Sequence, residues 1–341
     1  MRLTRETLIK IARDTAQQRV RVSRRIVSIY LTGSVLEEEP LLGGTTDIDL
    51  VIIHDSEPLQ EREIVRLTEE VHLDISHYPQ ALFHHPRRLR SHPWLGPFLY
   101  SKPLVFHDTQ HWFDFTQAAT GAQFYQPDYV IQRANALAQA ARQSWMDLSF
   151  NPPESHSKCV LAFLKAIEDA GNALASLTGN PLAERRFFLQ IPHRLQSLRR
   201  PELTGGLVHL FLPEESTWEA SWTEMLNAWK SAYQTCSGLA DTPARLHPSR
   251  QAYYARAAAA LWEENPAAAI WLIMRTWTLM VDLVSAPDLV QTGWHSAIQA
   301  LQLDEASFAQ RLEEMDQYLD RVEETLDEWA QNNGASTTAE I

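Results

Sequence analysis

The sequence predicts an α+β protein in which a small domain that combines helices and strands precedes an all-helical domain. Runs rich in β-branched and aromatic residues, which are typical of strands, occur before about residue 110. Beyond that point Ala, Leu, Gln, Glu and Trp predominate, and Pro or Gly interruptions separate long helical patterns. The length of 341 residues exceeds the usual size of a single hydrophobic core, which favours two domains.

The chain opens with a predicted helix and a predicted strand. Residues 4–22 carry apolar side chains at helical spacing, and residues 26–31 are β-branched and aromatic enough for a strand that stops at Gly33. Residues 35–46 contain Pro40 and two glycines, and they should form a loop or a short helix with a turn. The following patterns predict a central strand at 49–53, a helix at 59–70 with Ile64, Val65 and Leu67 inside, a strand at 71–78 and a short strand at 102–106.

The second part of the chain is predicted to contain helices alone. We place the domains at 1–110 and 111–331, with a flexible tail at 332–341, and expect the ligand site in a cleft between the domains. The predicted helices span 127–148, 156–178, 216–238, 249–263, 266–285 and 304–331.

Composition excludes several classes of function. The net charge of −13 argues against nucleic acid as a partner, because such binding needs a basic surface. Cys159 and Cys236 form no CxxC pair, so a disulfide framework and a zinc site of the usual spacing are not expected. The apolar stretch 267–284 contains Arg275 and is better interpreted as a buried helix than as a membrane span. With no apolar signal core at its start, the chain is predicted to be cytoplasmic, and its oligomeric state stays open.

Three aspartates form the strongest candidate site. Asp47 and Asp49 are two residues apart at the start of a predicted strand, so both side chains leave the same face. Asp74 is the one acid in another apolar strand. Three carboxylates in one small sheet would repel one another unless a cation lay between them, and hard oxygen ligands suit Mg²⁺. Taken singly, Asp47 and Asp49 could cap a turn, and Asp74 could face solvent on an edge strand.

The strand before the aspartates ends in Gly33 and Ser34. Glycine lets the backbone approach a phosphate, and the serine hydroxyl can donate to its oxygens. An ordinary turn is the alternative for this pair alone. The order and spacing of the turn and the acids together favour a functional site.

These residues resemble the signature of the polymerase-β-like nucleotidyltransferase superfamily. The signature is a hydrophobic strand, Gly-Ser, a spacer and Asp-hydrophobic-Asp, which correspond here to Leu31–Ser34 and Gly43–Val51. The run His72–Ile75 looks like the strand that carries the third carboxylate. The resemblance covers about residues 25–106, and the helical second domain is similar to that of aminoglycoside nucleotidyltransferases. It implies a small mixed-sheet nucleotidyltransferase domain followed by an all-helical domain.

The resemblance also implies roles for the site residues. Gly33, Ser34 and Thr46 would contact the nucleoside triphosphate, with ATP the expected co-substrate. Asp47 and Asp49 would hold both Mg²⁺ ions. Asp74 would hold the catalytic ion or help to activate the acceptor hydroxyl.

One departure from the family pattern concerns positive charge. Many relatives place an arginine soon after Gly-Ser, whereas this chain continues with Val35, Leu36 and the acidic run Glu37–Glu39. A cation for the phosphates must therefore come from elsewhere. Lys158 and Lys165 share one face of a predicted helix and are candidates, although two such lysines are more often just a solvated stripe. The acidic run would suit a polycationic acceptor, or it is simply a solvated loop.

The leading functional hypothesis is Mg²⁺-dependent transfer of an NMP, AMP from ATP, to a hydroxyl of a small molecule with release of pyrophosphate. An aminoglycoside-like antibiotic is the suggested acceptor, which would make the protein an antibiotic-resistance enzyme. One alternative is a protein-modifying (AMPylating) enzyme of toxin–antitoxin type. Another is a nucleotide-binding regulator without turnover.

Overall fold

A computed structural model describes residues 3–214, 218–236, 243–283 and 289–335. The chain forms two compact units, Met1–Tyr129 and Val130–Ile341. The first unit contains a five-stranded sheet with helices, and the described part of the second is helical, which confirms the α+β class. Most of the predicted tail 332–341 lies outside the described residues, as do the outermost ends of the helices predicted at 216–238 and 266–285.

The first unit is built around a mixed sheet. Its strand order is β3-β4-β2-β1-β5, so the strand that carries Asp47 and Asp49 is central, as predicted. Strands β2 and β4 run parallel, and the other neighbouring pairs are antiparallel. A single 3₁₀ turn at Ser34–Leu36 follows the first strand. The elements are α1 (Arg5–Val22), β1 (Ile26–Thr32), β2 (Thr46–His54), β3 (Arg62–Arg66), β4 (Val71–Pro79), α2 (Pro86–Ser91), α3 (Leu95–Tyr100), β5 (Leu104–Asp108) and α4 (Trp112–Gly121).

The two faces of this sheet bury different side chains, because successive residues of a strand point to opposite sides. Ile48, Leu50 and Ile52 of β2 lie in a core cluster with Leu8 and Ala12 of α1. On the other face, Val51 and Ile53 belong to a second cluster. The remaining buried members of that cluster are Tyr30, Phe83, Leu89, Leu99 and Phe113. Both faces of the central strand are therefore buried over its second half.

The prediction of a helix at 59–70 is wrong, because this segment contains the edge strand β3. The hairpin that joins β3 to β4 is fixed by Thr68, whose hydroxyl accepts the N–H groups of the second and third residues after it. Ile64, Val65 and Leu67 were expected on the inner face of a helix. In the structure Ile64 and Val65 are only half-buried, and Leu67 is exposed. Backbone pairing along the otherwise open edge of β4 outweighs the local helical spacing of these residues.

The described part of the second unit is composed of helices. The six predicted helices are present, and the helices Phe187–Ser197, Glu202–Phe211 and Leu289–Ala300 are additional. Helix α4 and residues 127–129, which the sequence placed in the helical domain, belong to the first unit. Within the described residues, no helix combines the length and the apolar character needed to span a membrane. The helices are α5 (Pro127–Phe150), α6 (His156–Ala175), α7 (Phe187–Ser197), α8 (Glu202–Phe211), α9 (Trp218–Cys236), α10 (Gln251–Glu264), α11 (Pro266–Leu283), α12 (Leu289–Ala300) and α13 (Glu305–Asn333).

Helix α11 is the buried helix that the sequence predicted at 266–285. Its charged residue Arg275 is tolerated there because the guanidinium pairs with Glu168 at 3.0 Å and Glu184 at 3.2 Å. A buried charge needs such partners to offset the loss of its hydration. Trp271 and Trp277 of the same helix are fully buried and belong to the core.

Candidate active site

The three predicted aspartates lie on one face of the sheet. In the parallel pairing of β2 with β4, Asp49 is opposite Asp74 and Asp47 is opposite His72. Residues directly opposite each other in neighbouring strands project to the same side, and so do residues two apart along a strand. Asp47, Asp49 and Asp74 therefore share the face that carries Val51 and Ile53 further along β2.

Burial differs along this face. Asp47 and Asp49 are half-buried, whereas Val51 and Ile53 are covered by the second core cluster. The cluster thus ends where the aspartates begin. This arrangement leaves the side chains of Asp47 and Asp49 partly exposed on the first half of β2, while the second half anchors the strand.

Gly33 brings the turn after β1 into contact with this face. Its φ of 77° is a conformation that favours glycine, and Thr32, the residue before it, is opposite Asp49 in the β1–β2 pairing. A Cβ atom on Gly33 would lie 2.0 Å from Oδ2 of Asp49. The turn can follow the strand so closely only because Gly33 has no side chain.

Ser34 and Thr46 lie together beside this turn. Ser34 is the first residue of the 3₁₀ turn, and its hydroxyl is 3.4 Å from the hydroxyl of Thr46. Thr46 is fully buried, its N–H donates to the carbonyl of Glu70 at 2.9 Å, and its hydroxyl donates to the carbonyl of Asp47 at 3.2 Å. The sequence-predicted residues Gly33, Ser34 and Thr46 are thus grouped at the start of the strand that carries Asp47 and Asp49.

Arg5 supports the same turn and was missed by the sequence reasoning. From the first turn of α1, its Nε donates to the carbonyl of Val35 at 3.0 Å and its Nη2 to the carbonyl of Leu36 at 2.8 Å. These bonds tie the 3₁₀ turn to α1. Nothing in the local sequence indicates the contact, because 30 residues separate the partners.

Arg62 contacts the third aspartate and was also missed. Its Nε donates to Oδ1 of Asp74 at 2.7 Å and its Nη2 to Oδ2 at 2.5 Å, so one guanidinium binds both carboxylate oxygens. Asp74 is only 5% exposed, and such a forked, charge-assisted contact is among the stronger polar interactions in proteins. The adjacent β-branched residues Ile64 and Val65 were the available signal for a strand, and interpreting the segment as a helix concealed it.

The residues present fit a hard divalent cation. Asp47 and Asp49 supply oxygen ligands from half-buried side chains, and Asp74 adjoins them in register. The three carboxylates do not all approach one another within 4.8 Å, as Asp74 is bound to Arg62. Oxygen donors from Asp47 and Asp49 thus form the core of the candidate site, and Asp74 is its third member.

A second acidic group lies elsewhere in the first unit. Among the described residues, Asp108, His111 and Asp114 do bring their ligand atoms within 4.8 Å of one another. Asp108, however, accepts the N–H groups of Phe113 at 2.8 Å and of Asp114 at 3.4 Å at the start of α4. Asp108 thus binds N–H groups in the first turn of α4, and Nδ1 of His111 lies 3.2 Å from Oδ2 of Asp114.

The two candidate lysines belong to the second unit. Lys158 is exposed in the first turn of α6. Lys165 forms ion pairs with Glu168, at 3.7 Å, and with Asp169 on the same helix. The structure therefore brings Gly33, Ser34, Thr46 and the three aspartates together in the first unit and places both lysines on α6.

Comparisons with known proteins find similarity among solved structures only. No protein-family model matches the chain, and no curated protein matches it either. Among solved structures, the chain is similar to a nucleotidyltransferase-like protein from Exiguobacterium sibiricum, with 10% sequence identity and a TM-score of 0.31. The match covers 93% of this chain and 91% of that chain. Similarity at this level does not establish shared chemistry, so function has to follow from the residues of the site.

Proposed function

We propose that this chain is a Mg²⁺-dependent nucleotidyltransferase that transfers an NMP, AMP from ATP, to the hydroxyl of an acceptor. The observation that carries the proposal is the pairing of Asp49 with Asp74 on a sheet face that begins at the Gly33–Ser34 turn. This arrangement joins a cluster of carboxylates to a turn suited to phosphate. Nucleotidyl transfer needs both, because a triphosphate arrives with bound cations and must be held in line with its acceptor.

Each residue of the site has a distinct task in this proposal. Asp47 and Asp49 hold the divalent cation, and the Ser34 hydroxyl donates to a phosphate oxygen. Thr46 and Arg5 keep the turn in place through their bonds to Ser34, Val35 and Leu36. When bound, the cation neutralises triphosphate charge and lowers the pKa of the acceptor hydroxyl. Asp74 completes the oxygen ligands of the cation, and a carboxylate of the site accepts the proton of the acceptor hydroxyl.

The acceptor that the surface favours is a cationic small molecule. Glu37, Glu38 and Glu39 follow the 3₁₀ turn directly and are exposed. On a protein of net charge −13, this acidic rim raises the local concentration of a positively charged acceptor. A polyamine sugar of the aminoglycoside type has both the positive charge and the hydroxyl groups that the proposal requires.

The test is a screen for pyrophosphate release from each NTP with Mg²⁺, over a panel of aminoglycosides and candidate proteins. We expect release with ATP and an aminoglycoside in the wild type, and none in Asp49→Asn. Asp55→Asn is the matched control, because Asp55 lies just beyond the other end of β2, exposed and paired with Arg25. Release with a protein acceptor alone would indicate the AMPylating alternative. Nucleotide binding without release for any acceptor would indicate a regulator.

A further inference from the structure

Arg62 binds the one aspartate of the site that is almost fully buried. Asp74 is 5% exposed, whereas the side chain of Arg62 is 51% exposed on the edge strand β3. The antiparallel register places Ile64 opposite Asp74, and Arg62, two residues away, lies on the same face as the three aspartates. A positive charge from the protein itself therefore lies at the candidate cation site.

A guanidinium and a divalent cation make competing demands on such a carboxylate. Both oxygens of Asp74 accept from Arg62, at 2.7 and 2.5 Å, and these oxygens are the donors that a cation would need. Two positive charges at one carboxylate also repel each other. The forked contact takes one lone pair of each oxygen and adds a positive charge beside it, so cation binding through Asp74 weakens that contact and favours withdrawal of the guanidinium.

We infer that Arg62 is a built-in competitor of the cation, which holds Asp74 in the cation-free protein and releases it when the cation binds. The inference rests on the proposed function, because it assigns Asp74 to the same site. Release is feasible because the half-exposed side chain can swing into solvent without breaking the backbone pairing of β3 with β4. Arg62 thus acts as a positioning residue for Asp74, and it sets the cation concentration at which the site fills.

The experiment measures Mn²⁺ binding to the full chain without nucleotide, by calorimetry and by the EPR signal of free Mn²⁺. Arg62→Gln removes the competitor, and we expect Mn²⁺ to bind about tenfold more tightly, since charged hydrogen bonds of this kind are worth roughly that factor. Arg66→Gln is the matched control. Arg66 is on the same strand and face, but its guanidinium contacts the Thr68 carbonyl at 3.4 Å and Glu69 at 3.3 Å.

A third variant separates competition from simple charge repulsion. Arg62→Lys keeps the charge but cannot form the forked contact, so competition predicts tighter Mn²⁺ binding and repulsion alone predicts no change. It also protects the test if Arg62→Gln, which leaves a buried carboxylate without this partner, fails to fold.

Three results would overturn the inference, and each has a different meaning. Equal Mn²⁺ affinity in the wild type, Arg62→Lys and Arg62→Gln would refute competition while leaving the cation site intact. No Mn²⁺ binding in any of the three proteins would refute the cation site itself, and with it the proposed function. If Arg66→Gln tightened Mn²⁺ binding as much as Arg62→Gln does, the inference would also be refuted, because the effect would then be a general effect of charge.

Discussion

Gly33 and Asp49 lie so close that no side chain fits between them: a Cβ atom on Gly33 would be 2.0 Å from Oδ2 and 3.2 Å from Cβ of Asp49. Since the φ of Gly33 is also 77°, two independent features require glycine at this position. The turn after β1 and the carboxylate on β2 therefore form one unit, and a change in the turn must displace the aspartate.

The first prediction compares two glycines that both have a positive φ. Gly44 has a φ of 75°, but a Cβ there would meet nothing within 4 Å. Gly44→Ala should cost only about 1–2 kcal/mol of unfolding free energy, the usual penalty for a left-handed residue. Gly33→Ala should cost more and should abolish transfer, because the added carbon must push Asp49 aside. Urea titration and the pyrophosphate assay measure the two effects, and equal losses in both variants would contradict the role of the contact.

The second prediction concerns the like charges of the candidate cation site. Asp47→Asn and Asp49→Asn should each leave the melting temperature of the cation-free protein equal or higher, because neutralising one carboxylate relieves repulsion within the group. In the wild type, Mg²⁺ with a non-hydrolysable NTP should raise the melting temperature, since both bind only the folded state. We expect that rise to disappear in both variants and to persist in Asp55→Asn. A full thermal shift in Asp47→Asn or Asp49→Asn would remove that residue from the site.

Much of the site could be predicted from the sequence because its parts are local patterns. Gly33 and Ser34 follow an apolar strand, and Asp47 and Asp49 open another, so period-2 spacing alone places both acids on one face. The alignment of Asp74 with Asp49 could not be derived in this way. It depends on the parallel register of β2 with β4, which pairs strands that are distant in the chain.

The elements that were missed have a common physical cause. Strand β3 gains its stability from pairing with β4, which local spacing does not reveal, and the contact of Arg62 with Asp74 was missed with it. In the second unit, α7 contains Pro192 and α8 contains Gly205 and Gly206, residues that usually mark the end of a helix. Tertiary packing retains these helices, since several of their apolar side chains are buried.

The third prediction concerns pH and a pair of histidines at the far end of the strands that carry the aspartates. His54 Nε2 and His77 Nδ1 are 2.9 Å apart, and Nε2 of His77 is 3.7 Å from Glu63, which also pairs with Arg19. Burial lowers the pKa of both rings below the ordinary 6.5. The charge of Arg25 lowers the pKa of His54 further, and His54 itself lowers that of His77.

Because the folded pKa values are depressed, the unfolded chain takes up protons first as the pH falls below about 6.5. The unfolding free energy should therefore decrease from pH 6.5 downward, until the pH passes below the folded pKa values. Urea titrations at several pH values should show a shallower decrease for the double variant His54→Gln/His77→Gln than for the wild type. His84→Gln, which replaces an exposed histidine outside this pair, should leave the decrease unchanged. Parallel curves for the wild type and the double variant would show that the pair does not contribute.

The last prediction concerns the acceptor. If Glu37, Glu38 and Glu39 attract a cationic acceptor, its KM should rise steeply with ionic strength, because exposed charges are screened within about 8–10 Å at physiological salt. Replacing all three by Gln should raise KM for an aminoglycoside and flatten its dependence on salt. The kcat should hardly change, since attraction before binding does not stabilise the transition state.

The control for this triple variant replaces two other exposed glutamates of the first unit. Glu57 and Glu61 are exposed between β2 and β3, and Glu57→Gln/Glu61→Gln changes the net charge by a similar amount. If the attraction came from net charge alone, both variants would raise KM alike. If the attraction comes from Glu37–Glu39 themselves, only the variant of these three residues should raise the KM for the aminoglycoside. The KM for ATP should stay unchanged or fall in that variant, since the nucleotide is itself an anion. A KM for every aminoglycoside that ignores both salt and the triple substitution would refute the cationic acceptor and favour a protein hydroxyl in its place.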